Sequence, residues 1–401
     1  MSSRGSAALA KPLTREELEE LARRLPYQRV RDSPTHPYYT NWKAFQLVEA
    51  GELAREAAEP PFTAKAQPTA LLYPAGVRVE APPRGVYVEP LSPEALGEWR
   101  VPVEGRLDAL HALRWASGLR VWATGGSRGR VVVWLLGGRS GYAGYHVEVT
   151  VEPDAELELV LVAYTSPGSA MTATTLSSVG ERATLRLASV NLGGGAVYFR
   201  RVAAVGEDAR VESRIAALGG DMVHDREDNF IVGARGSATV AASLSSAGGQ
   251  RLDAVENVIL RAPSTAGRVT ARGIVNGQSY LVSRGVARVE RQASEGSAAY
   301  ESTVLVMDEG GKGYSVPVLE VDTGMVVEAR HSTAVYAPPA EEVFYLRQRG
   351  LSLREVRYLL TLATLSYSGA LEAAGISAEE AAEAILAAHA GEAAARALAG
   401  R

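Results

Sequence analysis

The sequence predicts a mostly β protein, with a right-handed parallel β-helix core flanked by N-terminal and C-terminal α-helical segments. Apolar residues alternate with a period of two from about Leu71 to Tyr336, whereas the period is helical before and after that stretch. Few helices interrupt the strands, which excludes a doubly wound α/β sheet. Between residues 180 and 335 the strand cores recur about every 10 residues with Gly, Ser, Asp or Asn at the corners, a spacing typical of stacked coils.

The first of three expected domains is helical and covers residues 1–68. Thr14 and Glu17 fit a capping box, so a helix is expected to begin there. Residues 33–42, which read SPTHPYYTNW, are interpreted as a polar and aromatic connector. A second helix is expected within residues 42–55.

The β-helix core is expected to cover residues 69–337, with an entry segment at about 69–117 that contains one helical interruption. Residues 338–401 are expected to form a C-terminal helical domain. Ser352 and Glu355 fit a capping box in that domain. A stacked solenoid has open ends, which must be capped or paired, and the helical segments at both termini could supply those caps.

Composition restricts the classes of function. The 401 residues are 46% hydrophobic and 22% charged, with a formal net charge of -4, so we expect no nucleic-acid partner and no membrane. No apolar run approaches the ~20 residues of a bilayer span, and the N-terminus lacks a secretory pattern, so the expected location is cytoplasmic. The count of cysteine is 0, which excludes thiolate metal sites and cysteine nucleophiles.

Three other patterns carry weaker functional signals. The densest polar cluster is His224–Asn229, which could bind a divalent cation or act in glycoside chemistry, although we interpret it as a solvated turn. Gly193–Gly195 and the GGKGYS sequence at residues 310–315 do not match a phosphate-binding loop. Four tryptophans are interpreted as core residues rather than a ligand site: Trp99, Trp115, Trp122 and Trp134.

Two stretches of the sequence resemble the SufD/SufB family of iron–sulfur cluster assembly scaffold proteins. The first, residues 317–350, reads PVLEVDTGMVVEARHSTAVYAPPAEEVFYLRQRG. The second, residues 250–290, reads QRLDAVENVILRAPSTAGRVTARGIVNGQSYLVSRGVARVE. Within the second stretch, the positions that match the family are Gln250, Asp253, Pro263, Thr265, Gly273, Gly285 and Val289.

The resemblance implies a non-catalytic scaffold subunit that pairs with a homologue and docks an ABC-type ATPase through its C-terminal helices. The SufB-like branch of the family carries a sulfur-accepting cysteine at or next to Glu301 and a glutamate at Ser332. This chain has no thiol and keeps His331, so it is similar to the SufD branch. It departs from that branch at Ser332 and Tyr336, where glycine is common.

His331 is the candidate residue for cluster assembly, for the subunit interface and for metal ligation, because a neutral imidazole can bind iron. Its other interpretation is a strand histidine bonded to a backbone carbonyl. The expected partner-docking residues, which could equally pack on the β-helix, are Arg349, Gly350, Val356, Leu359 and Leu360.

We expect no cofactor to be bound stably by this chain alone. The resemblance allows a transient iron–sulfur cluster at the subunit interface and leaves flavin binding open. The expected partners are a cysteine-bearing SufB-like homologue, or a second copy of the chain, and a SufC-like ABC ATPase that alone hydrolyses ATP. The alternatives are a β-helical polysaccharide-active enzyme and a homodimeric structural β-helix protein.

Overall fold

The structure is a computed structural model that describes residues 9–32, 38–61 and 65–399, with backbone alone for 392–399. Residues 33–37 of the predicted connector lie outside this part. Strand accounts for 50% of the fold and helix for 19%, which confirms the mostly β class.

Eight α-helices lie in the described part of the chain: α1 Arg15–Arg24, α2 Gln46–Ala50, α3 Pro93–Leu96, α4 Arg106–Arg114, α5 Ala340–Gln348, α6 Leu353–Ser366, α7 Ala370–Ala373 and α8 Ala378–Ala399. A 3-10 helix, Trp42–Phe45, precedes α2. The strands are β1 Ala70–Tyr73, β2 Gly76–Val79, β3 Val86–Leu91, β4 Ser117–Ala123, β5 Arg128–Leu136, β6 Tyr142–Val151, β7 Glu156–Val179, β8 Thr184–Val205, β9 Arg210–Leu218, β10 Gly220–Ile231, β11 Ser237–Ala247, β12 Arg251–Leu260, β13 Ala266–Asn276, β14 Tyr280–Val289, β15 Gly296–Val306, β16 Lys312–Val321 and β17 Val326–Tyr336.

Two sheets face each other across a narrow interior. The N-face sheet, which lies under the N-terminal helices, contains β4, β6, the second halves of β7 and β8, β10, β12, β14 and β16. The C-face sheet contains β1, β5, the first halves of β7 and β8, β9, β11, β13, β15 and β17. All these pairings are parallel, and among the described strands the antiparallel pairs are those at the entry, between β1 and β2 and between β3 and β4.

Successive coils stack in register. In the C-face sheet Glu156 pairs with Thr184 and Thr184 pairs with Arg210, so a coil takes about 26 to 28 residues there. Later coils are longer, because Ser297 pairs with Glu328, 31 residues on. The solenoid has about eight such turns, which confirms the parallel β-helix predicted from the alternating pattern.

One corner of the coil has a repeated backbone conformation. A residue with positive φ lies there in six successive coils, and none of the six is glycine: Asp154, Arg182, Asp208, Arg235, Ser264 and Glu295. Each donates its backbone N–H to a carbonyl of the next coil, as Ser264 does to Ser294 at 2.8 Å. A positive φ is unfavourable in free energy for residues other than glycine. The column of hydrogen bonds between coils must therefore stabilise this corner.

Apolar residues on the outer face of each sheet explain where the helices lie. Leu176 and Val202 of the N-face sheet pack against Leu18 and Trp99, so the N-terminal segment covers that face. A second N-face cluster joins Tyr198 to helices α2 and α4.

The C-terminal helices cover the other face. Val160 and Val190 of the C-face sheet pack against Leu371 and Ile385. The terminal helices, which could have capped the ends of the solenoid, thus pack on its two outer faces. Both outer faces are apolar, so each must be buried under a helical layer, whereas the last coil is left uncovered.

Local predictions were correct at several helix starts. The capping boxes at Thr14 and Ser352 both form, with reciprocal hydrogen bonds to their N3 glutamates. The second N-terminal helix is shorter than predicted, because Gly51 adopts φ 71° and ends it.

The tryptophans do not form one core cluster. Trp99, Trp115 and Trp134 are buried, as predicted. Trp122 was predicted wrongly: its side chain is 43% exposed and lies beside Tyr87 on the outer face of the entry strands. No helix in the described residues is long and apolar enough to cross a bilayer.

Candidate functional site

The candidate site is the open end of the solenoid, formed by β16 and β17. β16 pairs only with β14, and β17 pairs only with β15, so within the described residues their outer edges have no partner strand. Large apolar side chains are exposed beside these edges, with Met325 at 66% and Val327 at 74%. An unpaired strand edge with exposed apolar residues can accept another chain by strand pairing.

His331 lies in the middle of β17 and is exposed. It pairs in register with Tyr300, whose side chain is buried in the solenoid interior, so His331 has the inward position of the last coil. No further coil covers it, which explains its exposure. The imidazole has no hydrogen-bond partner among the described residues. The alternative interpretation, in which the ring is bonded to a backbone carbonyl, is therefore wrong.

Glu301 and Ser332, at which the sequence analysis expects differences from the SufB-like branch, are adjacent in the structure. Glu301 of β15 pairs in register with Ser332 of β17. Glu301 accepts an ion pair from Arg330 at 3.1 Å. The Glu301 carboxylate therefore already has a positively charged partner.

The predicted docking residues divide into two groups. Val356 is only 1% exposed, because α6 packs against β11 and β13 there. Leu359 is 41% exposed, and Leu360 is intermediate. The apolar stripe of α6 therefore has a buried part and an exposed part.

Helix α5 adds to the exposed part. Phe344 and Tyr345 are exposed on it, and Leu353 is exposed at the start of α6. Arg349 donates to the Tyr345 hydroxyl at 2.8 Å and lies over its ring, 5.0 Å from the centroid. Gly350 ends α5 with φ 93°, a conformation that favours glycine.

A charged cluster lies inside the solenoid, several coils below His331. Arg201 binds Asp225 and Glu227, and all three side chains are buried. In the next coil Glu256 accepts a hydrogen bond from Tyr300 at 3.0 Å. Burial, with help from the nearby negative charges of Asp225 and Glu227, raises the pKa of Glu256 to about 8.

The interpretation of His224–Asn229 as a solvated turn was wrong. These residues form the middle of β10, and all except Arg226 are buried. Their side chains alternate, so Asp225, Glu227 and Asn229 face the interior and the others face the N-terminal segment. Each carboxylate is used by a neighbouring arginine.

The outward half of this run is a second ion-pair network. Arg200 is fully buried and binds Asp108 at 2.9 Å and Asp228 at 3.0 Å. Asp108 belongs to α4, so the network ties the N-terminal layer to the sheet. Burial raises the pKa of Asp228, but Arg226 and Arg200 lower it by more, so the carboxylate is ionised.

The described residues contain no group of three or more His, Asp or Glu side chains that could hold a metal ion. Among the histidines that the structure describes, His331 is the only exposed one.

Comparison with known proteins decides the family. A sequence model described as SUF system FeS cluster assembly, SufBD core domain, matches residues 135–364. The chain belongs to the SufBD family. The matched residues run from β5 to α6 and include both sheets and the open end.

Relatives in the SufBD family match a shorter stretch. An iron–sulfur cluster assembly SufBD family protein of Mycobacterium bovis is 29% identical over 165 residues, which is 39% of this chain and 42% of the relative. The iron–sulfur cluster assembly protein SufD of Bacillus subtilis is 25% identical over 185 residues, or 45% of this chain and 42% of that protein. A SufBD family protein of Staphylococcus aureus is 28% identical over 131 residues, 32% of this chain and 27% of the relative. The matched stretches thus span less than half of each relative.

The positions that resemble the SufBD family have structural roles. Asp253 is fully buried and binds Arg284 at 2.7 Å. Gln250 accepts the backbone N–H of Ala247 at a corner. Gly285 leaves no room for a side chain, because a Cβ there would lie 1.9 Å from the Glu256 carbonyl oxygen.

The sequence analysis missed the buried arginines, Arg200 and Arg201. Successive charged residues in a strand were taken for a surface turn. They could have been found by looking for opposite charges separated by the length of one coil. Arg201 lies 26 residues before Glu227 and is paired with it in the stacked strands.

Proposed function

We propose that the chain is a non-catalytic scaffold subunit of a SUF-type iron–sulfur cluster assembly complex. The observation that carries the proposal is the open last coil, with free strand edges and exposed apolar residues, in a SufBD family chain that has no cysteine. A chain without thiols needs a partner to supply them.

The proposed partner at the open end is a cysteine-bearing SufB-like homologue. Edge pairing between β17 and the corresponding strand of the homologue would satisfy its free backbone groups. Met325 and Val327 would be buried in the same contact. A second copy of this chain is the alternative partner, and it would leave the interface without a thiolate.

His331 is proposed to act on the cluster, which is cargo rather than a resident group. Its neutral imidazole would offer a nitrogen ligand to iron, while the homologue supplies thiolate. The exposed inward position on β17 supports this role, because the ring lies at the surface where a partner would meet it.

The second proposed partner is a SufC-like ABC ATPase. The exposed residues of α5 and α6, Phe344, Tyr345, Leu353 and Leu359, supply apolar anchors for a groove. ATP hydrolysis would reside in that partner.

The polysaccharide-active alternative has little support. Its motivating cluster, His224–Asn229, is buried and its carboxylates are paired with arginines. Of this run only His224 and Arg226 line a cavity, and none of its carboxylates does.

The experiment is anaerobic co-purification of the chain with the two partners, followed by iron and sulfide analysis. Wild type, His331→Ala and the control Thr333→Ala, at another inward position of β17, are compared. A ternary complex whose cluster content falls only in His331→Ala is the expected result. Absence of any complex would overturn the scaffold function, and equal cluster content in all three would overturn the role of His331.

A further inference from the structure

A cavity of about 560 Å³ lies between the N-terminal segment and the outer face of the N-face sheet. Its walls come from residues 27–32, from Tyr39 and Trp42, from residues 103–105 and Asp108, and from strands β8, β10, β12, β14 and β16. The volume lies within the range of small-molecule sites. It is separate from His331 and from the exposed helices.

His224 lies at the floor of this cavity and is 4% exposed. Its Nδ1 lies 2.9 Å from the Thr40 hydroxyl, which in turn donates to the Asp253 carboxylate. Since the Thr40 proton is used by Asp253, Thr40 must accept from Nδ1–H. In the neutral imidazole this places the proton on Nδ1 and leaves Nε2 as the hydrogen-bond acceptor.

The free edge of the ring faces the cavity. Tyr198 stacks on one side of His224 and Trp42 tilts over it, each with ring centroids 5.3 Å away. The Nδ1 edge is taken by Thr40 and Asp253. Nε2 has no hydrogen-bond partner in the described part of the chain, so it is an acceptor open to a ligand.

The carboxylate that orients His224 stays charged. Burial raises the pKa of Asp253, but Arg284 lowers it by more, so the net pKa is well below the usual range. Asp32 binds the other side of Arg284 at 2.9 Å. Arg284 thus lies between two carboxylates, and the Asp253 carboxylate also lies 3.3 Å from Nδ1 of His224, on the ring edge away from Nε2.

Positive charge remains at the mouth of the cavity. Arg226 is used by Glu104 at 2.7 Å and by Asp228. Arg29 and Arg31 also line the cavity, but they are exposed and have no ion pair or hydrogen bond among the described residues. A guanidinium without a partner beside a cavity can bind a carboxylate or phosphate.

We propose that this cavity binds a heteroaromatic anion of about mononucleotide size. Its ring lies against Trp42 and Tyr39, an N–H or O–H group donates to Nε2 of His224, and its anionic group meets Arg29 and Arg31. Aromatic walls, one fixed acceptor and two free guanidiniums together match this chemistry. The site does not depend on the proposed scaffold function.

The test is calorimetric titration of the full chain with AMP, GMP, CMP and UMP. Adenosine, which has no anion, and inorganic phosphate, which has no ring, are the control probes. We expect saturable binding of at least one nucleotide, with one molecule per chain and at least about tenfold tighter than either control probe. The ¹⁵N resonance of His224 Nε2 should move on binding, because a proton is donated to it.

Two variants locate the site. His224→Gln and the double variant Arg29→Gln, Arg31→Gln should each weaken binding about tenfold or more. Arg23→Gln with Arg24→Gln makes the same change in charge on the exposed face of α1, outside the cavity, and should bind as wild type does. Because Arg29 and Arg31 are exposed, their variant folds even where His224→Gln does not.

Three results would overturn the proposal. One is no saturable binding with any of the four nucleotides. Another is phosphate or adenosine binding as tightly as the best nucleotide. The third is equal weakening in the Arg23 and Arg24 control, which would indicate general attraction of anions rather than a site.

Discussion

Two buried acidic residues of this protein differ in their charge state. Asp253 is buried and ionised because Arg284 pairs with it, whereas Glu256 is buried without a close cation and keeps its proton near neutral pH. The sequence identified Asp253 by resemblance but not its partner, because Arg284 is one coil away. No local pattern distinguishes an arginine that faces a helix layer from one that faces water.

Glu256→Gln should remove a pH dependence of stability. The folded pKa of about 8 is above the unfolded value, so wild type loses stability as pH rises from about 5 to 8, by about 1 to 3 kcal/mol. A neutral amide has no such loss. Urea unfolding at pH 5, 6, 7 and 8 measures it, with the exposed Glu309→Gln as control. Parallel curves for wild type and Glu256→Gln would contradict the assignment.

Asp253→Asn should cost about 3 to 5 kcal/mol of unfolding free energy, because it leaves Arg284 buried with less than its full countercharge. The matched control is Asp322→Asn, which breaks an exposed ion pair with Arg288. Arg288 lies on β14, as Arg284 does, and the two charged atoms of the exposed pair are 2.9 Å apart. That change should cost less than about 1 kcal/mol. Chemical denaturation measures the loss of unfolding free energy in both variants. Similar losses would contradict the assignment of the Asp253–Arg284 pair as a buried ion pair.

At the level of elements, periodicity was enough to predict strands, helix starts and the parallel solenoid. It could not show where the helices lie, because an apolar stripe is the same whether it packs on a sheet face or on an open end. Outward positions such as Val160 and Val190 look like ordinary strand residues in the sequence, yet they decide that α7 and α8 cover the C-face sheet.

The corner with positive φ in six successive coils predicts how substitutions of Ser264 change stability. Ser264 has φ 55°, so Ser264→Val should destabilise by about 1 to 2 kcal/mol, since a β-branched residue is strongly disfavoured there. Ser264→Gly should be neutral within about 0.5 kcal/mol, because relief of strain offsets the added freedom of the unfolded chain. Thermal unfolding measures both, with Ser237→Val in β11 as control. A harmless Ser264→Val would contradict the strained corner.

Helix α6 should separate stability from binding. Val356→Asp places a charge in a buried contact and should cost about 3 kcal/mol or more. Leu359→Asp, on the exposed part, should change stability by less than about 0.5 kcal/mol while weakening capture of the ABC ATPase. Unfolding curves and pull-down with the ATPase measure the two effects. Normal capture by Leu359→Asp would exclude that part of α6 as the docking surface.

The whole molecule is a solenoid with both faces covered and one end open. The β-helix was predicted from the periodicity of the strands, and the family from the resemblance of residues 250–290 and 317–350. The open end was not, because the sequence left it open whether the terminal helices pack on the ends of the solenoid or on its faces. It follows from the structure that β16 and β17 are the strands available to a partner, and that His331 lies among them.

The most direct test of this account is light scattering after size exclusion of the chain mixed with a cysteine-bearing SufB-like homologue. Val327→Lys with Val335→Lys alters the open end, and Val30→Lys with Leu53→Lys adds the same charge at exposed residues elsewhere. The account predicts a one-to-one heterodimer for wild type and control, and about 30-fold weaker pairing, or ~2 kcal/mol, for the open-end variant. No heterodimer, or undiminished pairing by the open-end variant, would contradict it.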